Sequence, residues 1–145
     1  MDVRRHMTPN PVTVGPQDSL RKVRLLMRQG RLRRLPVTDN GRVICIVTDR
    51  DLWERCPSGV ADAGRAPAED LMDHLRVMGV MTLQPVTIAP TASILDAARL
   101  LRATKVGALL VVDDQELVGI ITKGDLLDAL LAAAQSHSAA SAPRS

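Results

Sequence analysis

The sequence predicts a mixed α/β (α+β) protein made of two tandem β-α-β-β-α repeats packed about a pseudo-two-fold axis. Three observations carry this. The chain of 145 residues repeats itself at a constant offset of 74. Each copy holds two apolar runs around a short polar turn, the pattern of a β-hairpin. Each copy also holds a segment with apolar residues at helical spacing.

The repetition is direct. Met7-Thr8 returns as Met81-Thr82, and Pro11-Val12-Thr13-Val14 returns as Pro85-Val86-Thr87-Ile88. Pro16 matches Pro90, Ser19 matches Ser93, and Leu35, Val37 and Asp39 match Leu109, Val111 and Asp113. Ile46, Thr48, Asp51 and Leu52 match Ile120, Thr122, Asp125 and Leu126. Residues 7–52 and 81–126 share 16 identities in 46 positions without a gap. Chance gives about three at average residue usage, so the chain is a duplication.

Each element follows in order. Residues 11–14 read as a short extended segment ended by Gly15-Pro16. A helix comes next, with Leu20, Val23, Leu26 and Met27 on one face, and Ile94, Ala98 and Leu101 on the matching face of the second copy. Asp18 is the expected N-cap in the first copy. The hairpin runs are 35–38 and 43–47 around Asp39-Asn40-Gly41, then 108–112 and 117–121 around Asp113-Asp114-Gln115-Glu116. A second helix starts just after Thr48 or Thr122, each a good N-cap. Residues 57–67, rich in Pro, Gly and Ala, read as a loop, and 68–78 as helical. The division is therefore 3–56 for the first repeat, 57–78 for a connecting loop and helix, 79–134 for the second repeat and 135–145 for a disordered tail.

A copy of about 50 residues buries too little surface to stand comfortably alone. Its run Val43-Ile44-Cys45-Ile46-Val47 has no polar alternation, so both of its faces want cover. Packing the copies face to face meets this need and predicts two equivalent clefts.

Composition narrows the function. With one Trp and no Phe or Tyr, the chain lacks platforms on which single-stranded bases stack. The net charge is +3, and its arginines are scattered apart from Arg31, Arg33 and Arg34. Nucleic acid is thus a lesser alternative partner. Cys45 reads as a buried thiol, and Cys56 forms no CxxC with it, so neither a disulfide nor zinc is expected. His6, His74 and His137 share no ligand spacing, so no metal is expected. Ser19 and Ser93 sit where helices begin. Trp53, Met72, Met78 and Met81 read as packing residues. No nucleophile–base arrangement and no GxGxxG or Walker loop occurs, so no enzyme is predicted. There is no leader-like apolar stretch and no run near the ~18 residues of a membrane span. The cytoplasm is the expected compartment.

The informative positions end each hairpin: residues 46–51 and 120–125. Thr48 and Asp51, like Thr122 and Asp125, stand three residues apart where a strand feeds a helix. A helix start with free amides suits a phosphate. A Thr hydroxyl can donate to a phosphate oxygen, and a carboxylate can accept from ribose hydroxyls. The competing reading is structural: Thr caps the helix and Asp favours its first turn.

The segments MTPNPVTV and MTLQPVTI, the hairpins RRLPVTDNGRV and GALLVVDDQELVG, and the endings TDRDL and TKGDL resemble the CBS (cystathionine-β-synthase-type) domain family. The pair resembles a Bateman module over about residues 3–132. IVTDRDLWERCPSG and VMGVMT are further similar to small bacterial CBS-pair proteins of the acetoin-utilisation type, here expected without their extra C-terminal domain.

The resemblance implies AMP, ADP, ATP or a related adenosyl compound such as S-adenosylmethionine bound between the repeats, with no cofactor required. One cleft would use Ile46, Thr48 and Asp51 with Val86, Val106, Gly107 and Ala108. The other would use Ile120, Thr122 and Asp125 with Val12, Leu32, Arg33 and Arg34. The two guanidinium groups predict tighter phosphate binding in the Asp125 cleft, unless they are merely a solvated pair before a strand. Cys45 stands where the pattern has Gly119, and is predicted to crowd the Asp51 cleft. The resemblance also implies a homodimer and a regulated partner protein. The alternative is a ligand-free structural or dimerisation module.

Overall fold

In a computed structural model the described residues are 2–55, 74–80, 82–83 and 85–140. The architecture is α+β, as predicted. The elements are α1 (Val3–His6), β1 (Thr8–Pro9), α2 (Leu20–Gly30), β2 (Arg34–Asp39), β3 (Arg42–Thr48) and α3 (Asp49–Arg55). After a 3-10 turn (Val77–Gly79) come β4 (Thr82–Leu83), β5 (Thr87–Ile88), α4 (Ile94–Thr104), β6 (Ala108–Asp113), β7 (Glu116–Thr122) and α5 (Lys123–Ala140). No helix among the described residues is long and apolar enough to cross a membrane.

Local chemistry explains the elements. Ser19 and Ser93 are the N-caps of α2 and α4, and their hydroxyls accept from the amides of Lys22 at 3.2 Å and Asp96 at 3.0 Å. Asp18, the expected cap, instead accepts from the Gly15 amide at 2.7 Å and pairs with Lys22. The Gly15 N–H, with Lys22 behind it, holds the Asp18 carboxyl below its ordinary value. Both helices end on a residue in the left-handed region, Arg31 (φ 53) and Lys105 (φ 60), which are offset counterparts.

The β2–β3 turn has positive φ at Asn40 (53) and Gly41 (82), the primed turn that matches strand twist. Asp114 (51) and Gln115 (70) repeat this in the second copy without glycine. An L side chain in that region costs roughly 1–2 kcal/mol. Gln115→Gly is therefore expected to stabilise the chain by about 1 kcal/mol, read as a raised midpoint in urea at unchanged m-value.

The chain divides into two compact units. One comprises Pro11–Pro85 with Gln115–Leu117; the other comprises Met1–Asn10, Val86–Asp114 and Val118–Ser145. In the first, β2 and β3 pair antiparallel with a bulge at Val37/Thr38, β4 pairs antiparallel with β3, and Val14 bridges Val37 in parallel. In the other, β6 lies between β7 and β5, β5 pairs parallel with β6, and β1 pairs antiparallel with β7. Each unit has its own core: Val14, Leu20, Val23, Leu35, Val37, Cys45, Val47 and Val77 in one, and Val3, Ala97, Leu101, Leu109, Val111 and Ile121 in the other.

The units are not coextensive with the repeats in sequence. The short arm before each repeat packs on the opposite copy, in two equivalent ways. Val3 N–H donates to Ala92 at 2.8 Å, and its counterpart Val77 donates to Asp18 at 2.9 Å. Asp2 bridges Ser93, and Arg76 bridges Ser19. Thr8 and Pro9 face Ile120 and Gly119; Thr82 and Leu83 face Ile46 and Cys45. Every pair repeats at the offset of 74.

Two further expectations are corrected. The helix expected to reach residue 78 does not: Arg76 is extended and residues 77–79 form a 3-10 turn, because their amides bond across to Asp18 and Pro16. Residues 135–140, expected in a disordered tail, continue α5; their alanines favour a helix. Cys45 is fully buried, as expected, among the core residues of its unit, where burial raises its thiol pKa, and its backbone pairs with Leu83. The expected loop at 57–67, most of the helix at 68–78, Cys56, Met72 and Met81 lie outside the described residues, as do the side chains of Trp53 and His137.

Candidate functional site: the strand-to-helix junctions

The two ends singled out in the sequence have one geometry. Thr48 Oγ1 accepts from the Asp51 amide at 3.1 Å, while Asp51 Oδ2 accepts from the Thr48 amide at 2.9 Å. In the second repeat Thr122 Oγ1 accepts from Asp125 at 3.2 Å, and Asp125 Oδ2 accepts from Thr122 at 2.9 Å. This is a reciprocal capping box with Asp in place of Glu. It arises because the last strand residue is extended, leaving its amide and the first helical amides without partners.

The structural reading of these residues is thus correct, and it does not displace the chemical one. A hydroxyl that accepts one bond still has its own proton to donate, and a carboxylate offers about four lone-pair positions. The box holds both groups in fixed rotamers at a half-buried position. That leaves a hydroxyl donor and an anionic acceptor one helical turn apart, suited to a phosphate oxygen and to vicinal hydroxyls.

The remaining candidates distribute by unit. Val12, Leu32, Arg33, Arg34 and Ile46 share a unit with Thr48 and Asp51, whereas Val86, Val106, Gly107, Ala108 and Ile120 share one with Thr122 and Asp125. Ile46, Ile120, Leu32, Arg34, Val86, Val106 and Gly107 are half-buried, Val12 and Arg33 are exposed, and Ala108 is buried. The β2–β3 register sets Arg34 directly opposite Thr48, and the Asp49 amide donates to the Arg33 carbonyl at 2.8 Å. The sequence reading had not assigned Arg34 that neighbour, although two runs flanking an Asn-Gly turn allow the register to be counted outward. Among the described residues, no group of His, Cys, Asp and Glu is placed to hold a metal ion.

Fold and junctions together define a paired-repeat module. The CBS domain model matches residues 2–52 and 77–132, and the chain belongs to the CBS domain family. A CBS domain-containing protein of Dictyostelium discoideum is 34% identical over 134 residues, covering 89% of this chain and 90% of its own. The CBS-pair protein CBSX2 from Arabidopsis thaliana superposes with a TM-score of 0.80 at 29% identity, over 92% of this chain and 96% of that one. A structure of CBSX2 in complex with AMP matches with a TM-score of 0.72 at 29% identity, over 91% and 97%. The acetoin utilization protein AcuB from Vibrio cholerae, so named in a provisional assignment, matches with a TM-score of 0.78 at 26% identity, over 99% and 98%. The model's match begins at 2 and resumes at 77, so both arms fall inside the family pattern.

Proposed function

We propose that the chain is a cytoplasmic, non-catalytic regulatory module that binds an adenine nucleotide (AMP, ADP or ATP) or a related adenosyl compound such as S-adenosylmethionine. The observation that carries this is the Thr–Asp box, built identically in both repeats. Asp51 and Asp125 would accept from the ribose hydroxyls, and Thr48 and Thr122 would donate to the phosphate. Ile46 and Ile120 would lie against the base. The lining that family membership implies is Val86, Val106, Gly107 and Ala108 for the Asp51 end, and Val12, Leu32, Arg33 and Arg34 for the Asp125 end, where the two guanidinium groups would fork the phosphate. The AMP complex of CBSX2 supports the ligand class.

Binding acts as a signal only if it favours one arrangement of the repeats over another. The output then passes to a partner protein. A homodimer is part of the same proposal, supported by exposed Leu127, Leu130 and Leu131 on α5, an uncovered apolar face of the kind that marks an interaction surface.

Thermal unfolding with AMP, ATP and S-adenosylmethionine tests the reading. A ligand at a hundred times its dissociation constant is expected to add about 2.7 kcal/mol. Asp51→Ala and Asp125→Ala should each weaken the response, and the double variant should lose it. No shift with any adenosyl compound for a folded sample overturns the sensor and leaves the structural or dimerisation module.

A further inference from the structure

A two-fold homodimer of a duplicated chain has two orientations open to it: each repeat meets its own counterpart, or it meets the opposite repeat. The choice between them rests on the homodimer reading above, and the charges at the starts of α2 and α4 decide it. Arg21, Lys22, Leu25 and Arg28 are exposed on one face of α2, and the helix carries no acid. Their counterparts on α4 are Leu95, Asp96, Arg99 and Arg102, also exposed. The arms extend the contrast. Arg76 bridges Ser19, the cap of α2, and its counterpart Asp2 bridges Ser93, the cap of α4. Both are exposed. Lys22 and Arg76 at one helix start thus become Asp96 and Asp2 at the other, an inversion of charge at equivalent positions.

The surrounding charges leave this contrast standing. Lys22 pairs with Asp18 at 3.2 Å and Asp96 approaches Arg99 at 3.9 Å, so each start holds one local ion pair of the kind that solvent weakens. α1 adds Arg4 and Arg5 to the unit of α4, with Arg4 turned to Asp113 at 3.7 Å. α3 (two arginines, three acids) and α5 (one lysine, two acids) each sum to −1. Local stability does not explain the basic start, because cations in a first turn oppose the helix dipole. Leu95 and Asp96 at the same positions show that the fold does not require them. The far ends are basic in both helices, with Arg28 and Arg31 in one and Arg102 and Lys105 in the other.

We propose that two copies pair head to tail, the start of α2 in each lying against the start of α4 in the other. Lys22 and Arg76 then face the partner's Asp2 and Asp96, twice over by the two-fold axis, and the basic far ends point apart. Leu25 and Leu95 supply apolar contact beside the charges. Head-to-head pairing would set each helix start against itself, like charge on like, which disfavours an interface.

Cross-linking of single-cysteine chains tests the orientation. In a Cys56→Ser background, with Cys45 buried, Lys22→Cys and Asp96→Cys chains are mixed, left to exchange and treated with a short bismaleimide. A covalent dimer is expected from the mixture and little from either chain alone. A covalent dimer from either chain alone, or none from the mixture of a dimeric chain, overturns the proposal. Sedimentation reads the energetics. Lys22→Glu is expected to weaken dimerisation about tenfold, repulsion replacing attraction, and joint Lys22→Asp and Asp96→Lys substitution should recover most of it. Unchanged or tighter dimerisation of Lys22→Glu overturns head-to-tail pairing while leaving the homodimer intact. If the unsubstituted chain is a monomer, the homodimer reading itself falls, and this proposal with it.

Discussion

Val3→Asp is expected to unfold the unit formed by Met1–Asn10, Val86–Asp114 and Val118–Ser145. Val3 is 0% exposed although only two residues from the N-terminus. Its side chain joins Ala97, Leu101, Leu109, Val111 and Ile121, and its amide donates to Ala92 at 2.8 Å. Losing the apolar side chain costs about 1.5–3 kcal/mol. Burying an unpaired carboxylate adds a few more, or forces its protonation. A total above about 4 kcal/mol is large against the 5–15 kcal/mol that holds a domain. Val77→Asp should do the same to the other unit, since Val77 is also 0% exposed in its core. Neighbouring Arg4 pairs with Asp113 at 3.7 Å with both side chains more than half exposed, so Arg4→Ala should change stability by under about 1 kcal/mol. Urea unfolding followed by amide exchange reads both the size and the location of the losses. A Val3→Asp chain as stable as the parent would mean that the N-terminal arm is not part of that core.

Gly119→Val is expected to displace β1 and cost about 1–3 kcal/mol, the range for overfilling a packed site. A Cβ built on Gly119 would overlap Met7 Sδ and stand 2.9 Å from Met7 Cγ and 3.0 Å from the Thr8 carbonyl oxygen. The sulfur can swing aside, but the carbonyl belongs to the β1 backbone, which pairs there with β7. The readouts are a lower thermal midpoint and faster exchange of the Asn10 amide, which donates to Val118 at 3.2 Å. Met7→Ala in a Gly119→Ala background should be less costly than the two changes summed, because it removes the sulfur overlap. An unchanged midpoint and unchanged Asn10 protection in Gly119→Val would show that the arm does not press on this glycine. The first repeat solves the same position differently: Cys45 pairs there with Leu83, and its thiol fills the core.

The junctions were legible because their signals are local. A Thr and an Asp three residues apart after an apolar run describe both a capping box and a ligand-ready pair, and both repeats carry it. Periodicity alone could not choose between cap and ligand, and the geometry removes the need to choose, since the hydrogen bonds of the box leave donor and acceptor capacity on the same side chains. The cap at Ser19 rather than Asp18 was harder to read. Both residue types cap helices, and one residue decides which oxygen faces the first-turn amides.

What the sequence by itself determined was the duplication, the hairpins with their turns, the two helices of each repeat and the burial of Cys45. All follow from short-range pattern: a period of residues, a turn dipeptide, an apolar run. Only the tertiary structure decided that the arm before each repeat belongs to the core of the other copy, and that Arg34 stands beside Thr48. The offset makes Val3 and Val77 equivalent but is silent on their partners. An arm packed on its own copy and an arm exchanged with the other leave every local pattern unchanged. The choice rests on hydrogen bonds and buried contacts between residues as far apart as Val3 and Ala92, which no window of the sequence contains.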